Sequence, residues 1–237
     1  AFIVTPMLNV VFGIPYELAI GSSLSFTIGT SSSGMRRHMR LGNVEHRATL
    51  FLAAASMIGA VGGAQFNESV RKALGQDHYT TLIHSLFIAL LLLTAWLVLR
   101  GGKAAEGGRS FLQRLPWRPN VHLPAAGLTD VSVPGMCLLG LAIGLTNGML
   151  GIGGGVLFVP VLILAVGLTP HQAVGTSLGV VVFSSIAGTA RHAMIGNVNL
   201  WIVMSLLISS VLGVQVGAWI CHRLHADKLR RWFAILV

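Results

Sequence analysis

Gly21-Ser22-Ser23-Leu24 and Gly175-Thr176-Ser177-Leu178 are one phrase written twice, 154 residues apart. At that offset the stretch from Pro6 to Val44 lies on Pro160 to Val198 without a gap. Gly13 falls on Gly167, Ala19 on Ala173, Gly34 on Gly188, Arg37-His38 on Arg191-His192, and Gly42-Asn43-Val44 on Gly196-Asn197-Val198. Gly59 and Gly63 then fall on Gly213 and Gly217. The shared residues are mostly Gly, Ser, Thr, Pro, Arg and His, so common hydrophobicity does not account for them. Duplicated halves of apolar spans broken by Gly and Pro are the plan of secondary transporters, which bind substrate where the halves meet.

The composition points to a membrane. Mean hydropathy is +0.77, 54% of residues are hydrophobic and 10% are charged. A soluble domain carries about a quarter charged residues. The formal charge of +9 is no nucleic-acid footprint. Its Lys and Arg sit in short loops between spans, where cytoplasmic basic residues belong. Cys137 and Cys221 lie in or beside apolar runs and read as small hydrophobes. The chain opens on an apolar run and closes on the short run Leu229–Val237, so segments are expected to be missing at both ends.

The expected fold is an all-α, polytopic transmembrane helix bundle. It has two homologous halves of about four spans, with broken or re-entrant helices at the Gly-rich motifs. Residues 1–100 form the first membrane repeat, 101–131 a polar cytoplasmic linker and 132–237 the second repeat, its last span truncated. Spans are expected over the run to Ile14, Glu17–Gly34, Ala48–Phe66 and Thr80–Leu99, then over 132–167 with a break at Gly151–Gly155, His171–Ala190 and Leu200–Cys221. The loop holding Arg36, Arg37, Arg40 and Arg47 and the linker after Arg100 are basic, which puts both in the cytoplasm. The loop with Glu68, Arg71, Lys72 and Asp77 is near neutral. If 132–167 crosses once, the halves run parallel; if it doubles back at the glycines, they are inverted. The charge rule favours the second arrangement and the segment length the first.

Three elements could carry chemistry. In the first, Asn147 leads into Gly151, Gly153, Gly154 and Gly155, with Pro160 beyond. Glycine at this density breaks a helix at about 1 kcal/mol each. Freed backbone N–H groups at the start of the next helix would attract an anion. The competing reading is close helix crossing. The second element is Thr176-Ser177 with its twin Ser22-Ser23, placed for ligand contact or for bonding back to the preceding turn. Before the later copy, Thr169-Pro170-His171-Gln172 has the form of a capped helix start. The third is Arg37-His38 and Arg191-His192, read either as snorkelling anchors or as a cationic lip with a protonatable imidazole. His84 reads as a buried, hydrogen-bonded residue and Glu17 as an acid at a helix start. No catalytic set, metal cage or cofactor motif emerges, and the scarcity of acids weighs against cation transport.

The pattern Gly151-Ile-Gly-Gly-Gly155, Pro160, Gly167, Ala173-Val-Gly-Thr-Ser-Leu178, His192 and Gly196-Asn-Val198 resembles the TauE/SafE sulfite-exporter family. A weaker copy runs from Pro6 through Ala19–Leu24 to His38 and Gly42–Val44. The resemblance covers nearly the whole chain. It implies a multi-pass protein of the cytoplasmic membrane that exports sulfite or an organosulfonate by secondary transport. The expected partners are a small anion, the lipid bilayer and, as an open option, further copies of the chain; nucleic acid is not among them. A passive anion channel and a non-transporting scaffold subunit are the competing functions.

Overall fold

The computed structural model describes residues 3–101, 110–153 and 155–210. Gly154, Gly213, Gly217, Cys221 and the run from Leu229, all singled out in the sequence, lie outside the described residues. The chain divides into two units, 1–199 and 200–237.

The first unit begins with α1 (Val4–Val10) and α2 (Tyr16–Arg40). The long α3 (His46–Gly101) is bent at Gly75, whose φ of 73° and ψ of 169° no helix tolerates. The short α4 (Phe111–Arg114) precedes an antiparallel pair, β1 (Asn120–Leu123) and β2 (Leu128–Ser132). Then follow α5 (Val133–Leu150), α6 (Gly155–Val161) running into a π-helical turn (Leu162–Val166), and α7 (Pro170–Met194). Of the second unit, the apolar helix α8 (Leu200–Ser210) is described.

Four of these segments are long and apolar enough to cross a membrane: His46–Gly75, His78–Trp96, Val133–Leu150 and Pro170–Met194. The protein is thus a predominantly helical, multi-pass membrane protein. The second arm of α3 is apolar yet mostly exposed, with Ile88 and Leu92 on its surface, as a lipid-facing helix should be. Helix α2 is equally long, but its run of Ser and Thr makes it too polar to stand in lipid alone.

One expected loop is reduced to the bend at Gly75. Glu68, Arg71 and Lys72 lie within the first arm of α3, which runs unbroken to Gly75. Glu68 accepts from Arg71 at 2.9 Å and lies 3.2 Å from Lys72, pairs three and four residues along that hold a helical turn together. The linker also has more structure than its polar composition suggested. It buries Leu112, Leu123 and Val131 in one apolar cluster with Phe158, Leu162 and Val166.

Small residues let α3 and α5 touch backbone to backbone. A Cβ on Gly140 would stand 2.6 Å from the Leu52 carbonyl oxygen, one on Gly144 2.2 Å from that of Ser56, and one on Gly148 2.0 Å from that of Ala60. The contacts advance together in four-residue steps along both helices, so α5 runs parallel to the first arm of α3. Without a hydrophobic drive between helices in lipid, such close approach is what holds them.

Candidate functional site

Helix α5 ends at Gly151, which takes the left-handed conformation (φ 65°) and donates its N–H to the Asn147 carbonyl at 2.8 Å. Gly153 is also left-handed (φ 73°), and the chain is helical again from Gly155. The last carbonyls of a helix have no partner within it. Here they are met by side chains from four other elements, all inside an apolar bundle. His192 of α7 meets the Gly148 carbonyl through Nε2 at 2.9 Å. Asn67 of α3 donates to Met149 at 2.6 Å, and accepts from the Tyr79 hydroxyl at 2.6 Å. The hydroxyls of Thr5 of α1 and Ser23 of α2 both lie 3.0 Å from the Gly151 carbonyl oxygen, and 2.8 Å from each other. Thr5, Ser23, Asn67, Tyr79, Asn147 and His192 are all buried.

The expected hydroxyls are buried too, and each already has a protein partner. Ser23 also bonds back to Ile20 at 3.0 Å, and Ser177 to Val174 at 2.8 Å. Ser22 accepts the N–H of Asn199 at 3.1 Å, and Thr176 that of Glu45 at 3.0 Å. These last two bonds are one contact repeated at the offset of the sequence. Beside them, a Cβ on Gly21 would lie 2.0 Å from the Asn197 carbonyl oxygen and 3.2 Å from the His192 Cβ. One on Gly175 would lie 2.2 Å from the Asn43 oxygen and 3.1 Å from the His38 Cβ. The start of α2 therefore meets the end of α7, and the start of α7 meets the end of α2.

Asn147 donates its amide to Ser184 at 3.1 Å, while its Oδ1 is buried without a hydrogen-bond partner. Ser185 Oγ, Thr189 Oγ1 and His192 Nδ1 share that condition, as does His38 Nδ1. Ser185, Thr189 and His192 follow one another four and three residues apart, along one face of α7. Arg37 is exposed at the end of α2, and Arg191 donates to Gln65 Oε1. The structure thus gathers Ser22, Ser23, Asn147, Gly151 and His192 around the break and the start of α2. Thr176, Ser177, Arg37 and His38 lie at the opposite end of the α2–α7 pair. His84 is half-buried and stands edge-on to the Tyr16 ring, 5.0 Å between centroids.

Sequence reasoning passed over Thr5, Glu45, Asn67 and Tyr79. Glu45 is buried, and its carboxylate accepts the N–H groups of Ala126 (3.2 Å) and Arg47 (3.4 Å). Arg47 reaches the His122 carbonyl at 3.0 Å, and Gln172 that of Ala125 at 2.6 Å. The β-hairpin is thereby pinned to the start of α3 and the start of α7. A polar residue at the fourth position of Gly42-Asn-Val-Glu45 and of Gly196-Asn-Val-Asn199 was the one signal available. Among the described residues, no group of three or more His, Cys, Asp or Glu could hold a metal ion.

The family model for the sulfite exporter TauE/SafE matches residues 1–237. The chain is similar to the "probable membrane transporter protein YdhB" of Bacillus subtilis, 26% identical over 215 residues, covering 91% of this chain and 79% of the relative. It is 27% identical over 244 residues to a "probable membrane transporter protein" of Xylella fastidiosa, covering 100% of this chain and 83% of the relative. An archaeal relative, "probable membrane transporter protein MJ0441" of Methanocaldococcus jannaschii, is 22% identical over 243 residues, covering 97% and 81%. No solved structure matches the chain at a significant level.

Proposed function

The chain belongs to the TauE/SafE sulfite exporter family, and from that membership we propose that it carries a small oxyanion, sulfite or an organosulfonate, out across the cytoplasmic membrane as a secondary transporter. The observation that carries this reading is the buried polar cluster at the break between α5 and α6. Polar atoms inside an apolar bundle are costly, and unpaired ones more so. Unpaired atoms on Asn147, Ser185, Thr189 and His192 stand beside a helix end whose Gly148, Met149 and Gly151 carbonyls are already capped. They are the groups left for a solute. In this reading Thr5, Ser23 and Asn67 hold the broken backbone open, and Ser22 and Thr176 fix the two ends of the α2–α7 pair. Gly151, Gly153 and Gly155 let the chain turn beside the solute. Arg37 and Arg191, one at each end of the pair, supply positive potential at the two mouths.

The halves are inverted in this scheme. The reciprocal contacts of Gly21 with Asn197 and Gly175 with Asn43 support it, because only an antiparallel α2–α7 pair makes both. Gly135 lies against Leu112 and Gly167 against Ser110, so α5 and the π-helical turn both have an end at the linker. That favours a segment that doubles back at the glycines, its second limb too short to cross.

The test is flux of the complete protein in liposomes. Sulfite or a sulfonate should move with saturation and well ahead of chloride. Asn147→Leu should reduce that flux by about tenfold or more, the loss expected when one positioned polar contact is removed. Folded wild-type protein that moves neither anion would refute the reading.

A further inference from the structure

Building on the transport reading, we propose that His192 is the site at which a proton is taken up together with the anion. The tautomer follows from the geometry. The Gly148 carbonyl can only accept, so Nε2 at 2.9 Å carries a hydrogen. In a neutral ring Nδ1 then has none and presents a lone pair, which repels an oxyanion. That nitrogen is buried and unpartnered, in a residue 1% exposed. Protonation converts it into a second donor and adds a positive charge, while the bond to Gly148 stays as it was. A bound anion supplies the acceptor this new N–H lacks. Proton and anion therefore stabilise one another, and by linkage each raises the affinity for the other by the same factor.

The surroundings allow the charge to be set by the solute. Among the described residues, the charged groups that bear on the ring are Arg191 of its own helix and Glu68 of α3. Glu68 is engaged by Arg71 and Lys72, and Arg191 by Gln65. From α2 come Tyr16, whose hydroxyl is buried without a partner, and Glu17, 3.9 Å from Arg71. Helix α5 contributes no titratable side chain but Cys137, several turns from the break, and α6 and the π-helical turn contribute none. In the step itself, a hydronium ion on the loading side gives its proton to Nδ1, forming N–H and leaving water. On the release side that N–H bond breaks to water as the anion departs. One negative charge and one proton cross together, so the cycle moves no net charge for a monovalent sulfonate.

Methanesulfonate is the probe, because it holds no titrating proton near neutrality and any proton uptake is the protein's. Calorimetry of the complete protein near pH 7, in two buffers of different ionisation heat, should show proton uptake on binding. Affinity at pH 6 should exceed that at pH 8 by about tenfold, within the usual range of coupling. His192→Gln keeps an amide donor for the Gly148 carbonyl but cannot charge; it should bind without proton uptake and with a flat pH profile. Wild-type protein that binds without taking up a proton, or a variant that takes up as many, overturns the proposal. Should the variant fail to stay monodisperse, nitrogen NMR of wild-type protein decides. One ring passing from neutral Nε2–H to imidazolium on adding methanesulfonate supports the assignment, and no ring changing overturns it. Uptake on binding without flux in liposomes would leave this assignment standing and remove the transport reading; binding of neither methanesulfonate nor sulfite would remove both.

Discussion

A methyl group on Gly144 would sit 2.2 Å from the Ser56 carbonyl oxygen, whereas one on Gly62, in the helix opposite, would meet nothing within 4 Å. The two glycines look alike in the sequence and differ in what faces them. Gly144→Leu must force α3 and α5 apart along their closest contact, at a cost of about 3 kcal/mol, the upper part of the overpacking range. Gly62→Leu places its side chain towards open surroundings and removes a helix-weakening residue, for a gain of up to about 1 kcal/mol. Thermal unfolding in detergent should show a clear drop in midpoint for the first and none for the second. Equal drops would mean that the α3–α5 crossing is not what the small residues are for. Single residues also mark where the sequence stopped being readable. Asn67 and Tyr79 fall at the two edges of the loop expected between Phe66 and Thr80, and look like ordinary polar loop positions. Only the approach of α5 turns them into a relay onto the Met149 carbonyl.

At the scale of elements, the glycine break, the capped start of α7 and four of the apolar spans were legible, because each depends on local chemistry. Thr169 and Gln172 make the reciprocal bonds that their spacing announces. The continuation of α3 through Glu68, Arg71 and Lys72 was not, since three charges in a row of apolar turns read as a loop when their pairing is unseen. Nor was the hairpin, whose anchoring depends on Glu45, far away in sequence from Ala126. Glu45→Ala removes the bond that ties the Ala126 N–H to the start of α3 and leaves that N–H only its turn bond to Leu123, at a cost of about 1 kcal/mol. Hydrogen exchange should then quicken over residues 120–130 while the apolar core of α5 keeps its protection. Unchanged exchange in the hairpin would show that its apolar residues alone, Leu123 and Val131, hold it in place.

For the whole molecule, the candidate site was half legible. The repeat pointed to α2 and α7, and the glycines to the break, but the sequence left the relative direction of the halves open. The antiparallel α2–α7 pair makes a prediction that belongs to that scale. With Cys137 and Cys221 replaced, a cysteine at Arg37 and one at Arg191 should react with a membrane-impermeant maleimide from opposite faces. Arg37 should be the one facing the cytoplasm, given the basic residues that surround it. Labelling of both from one face would return the halves to a parallel arrangement.

Leu24 lies against Gly188 (3.2 Å from a Cβ built there), and Leu178 against Gly34 (3.0 Å). Each half thus holds a notch filled by the other half's leucine. Enlarging either glycine has room only if the opposing leucine is trimmed, so the two sides of this seam are tied to one another. Whatever enlarges one side of the seam must be answered by a smaller residue on the other.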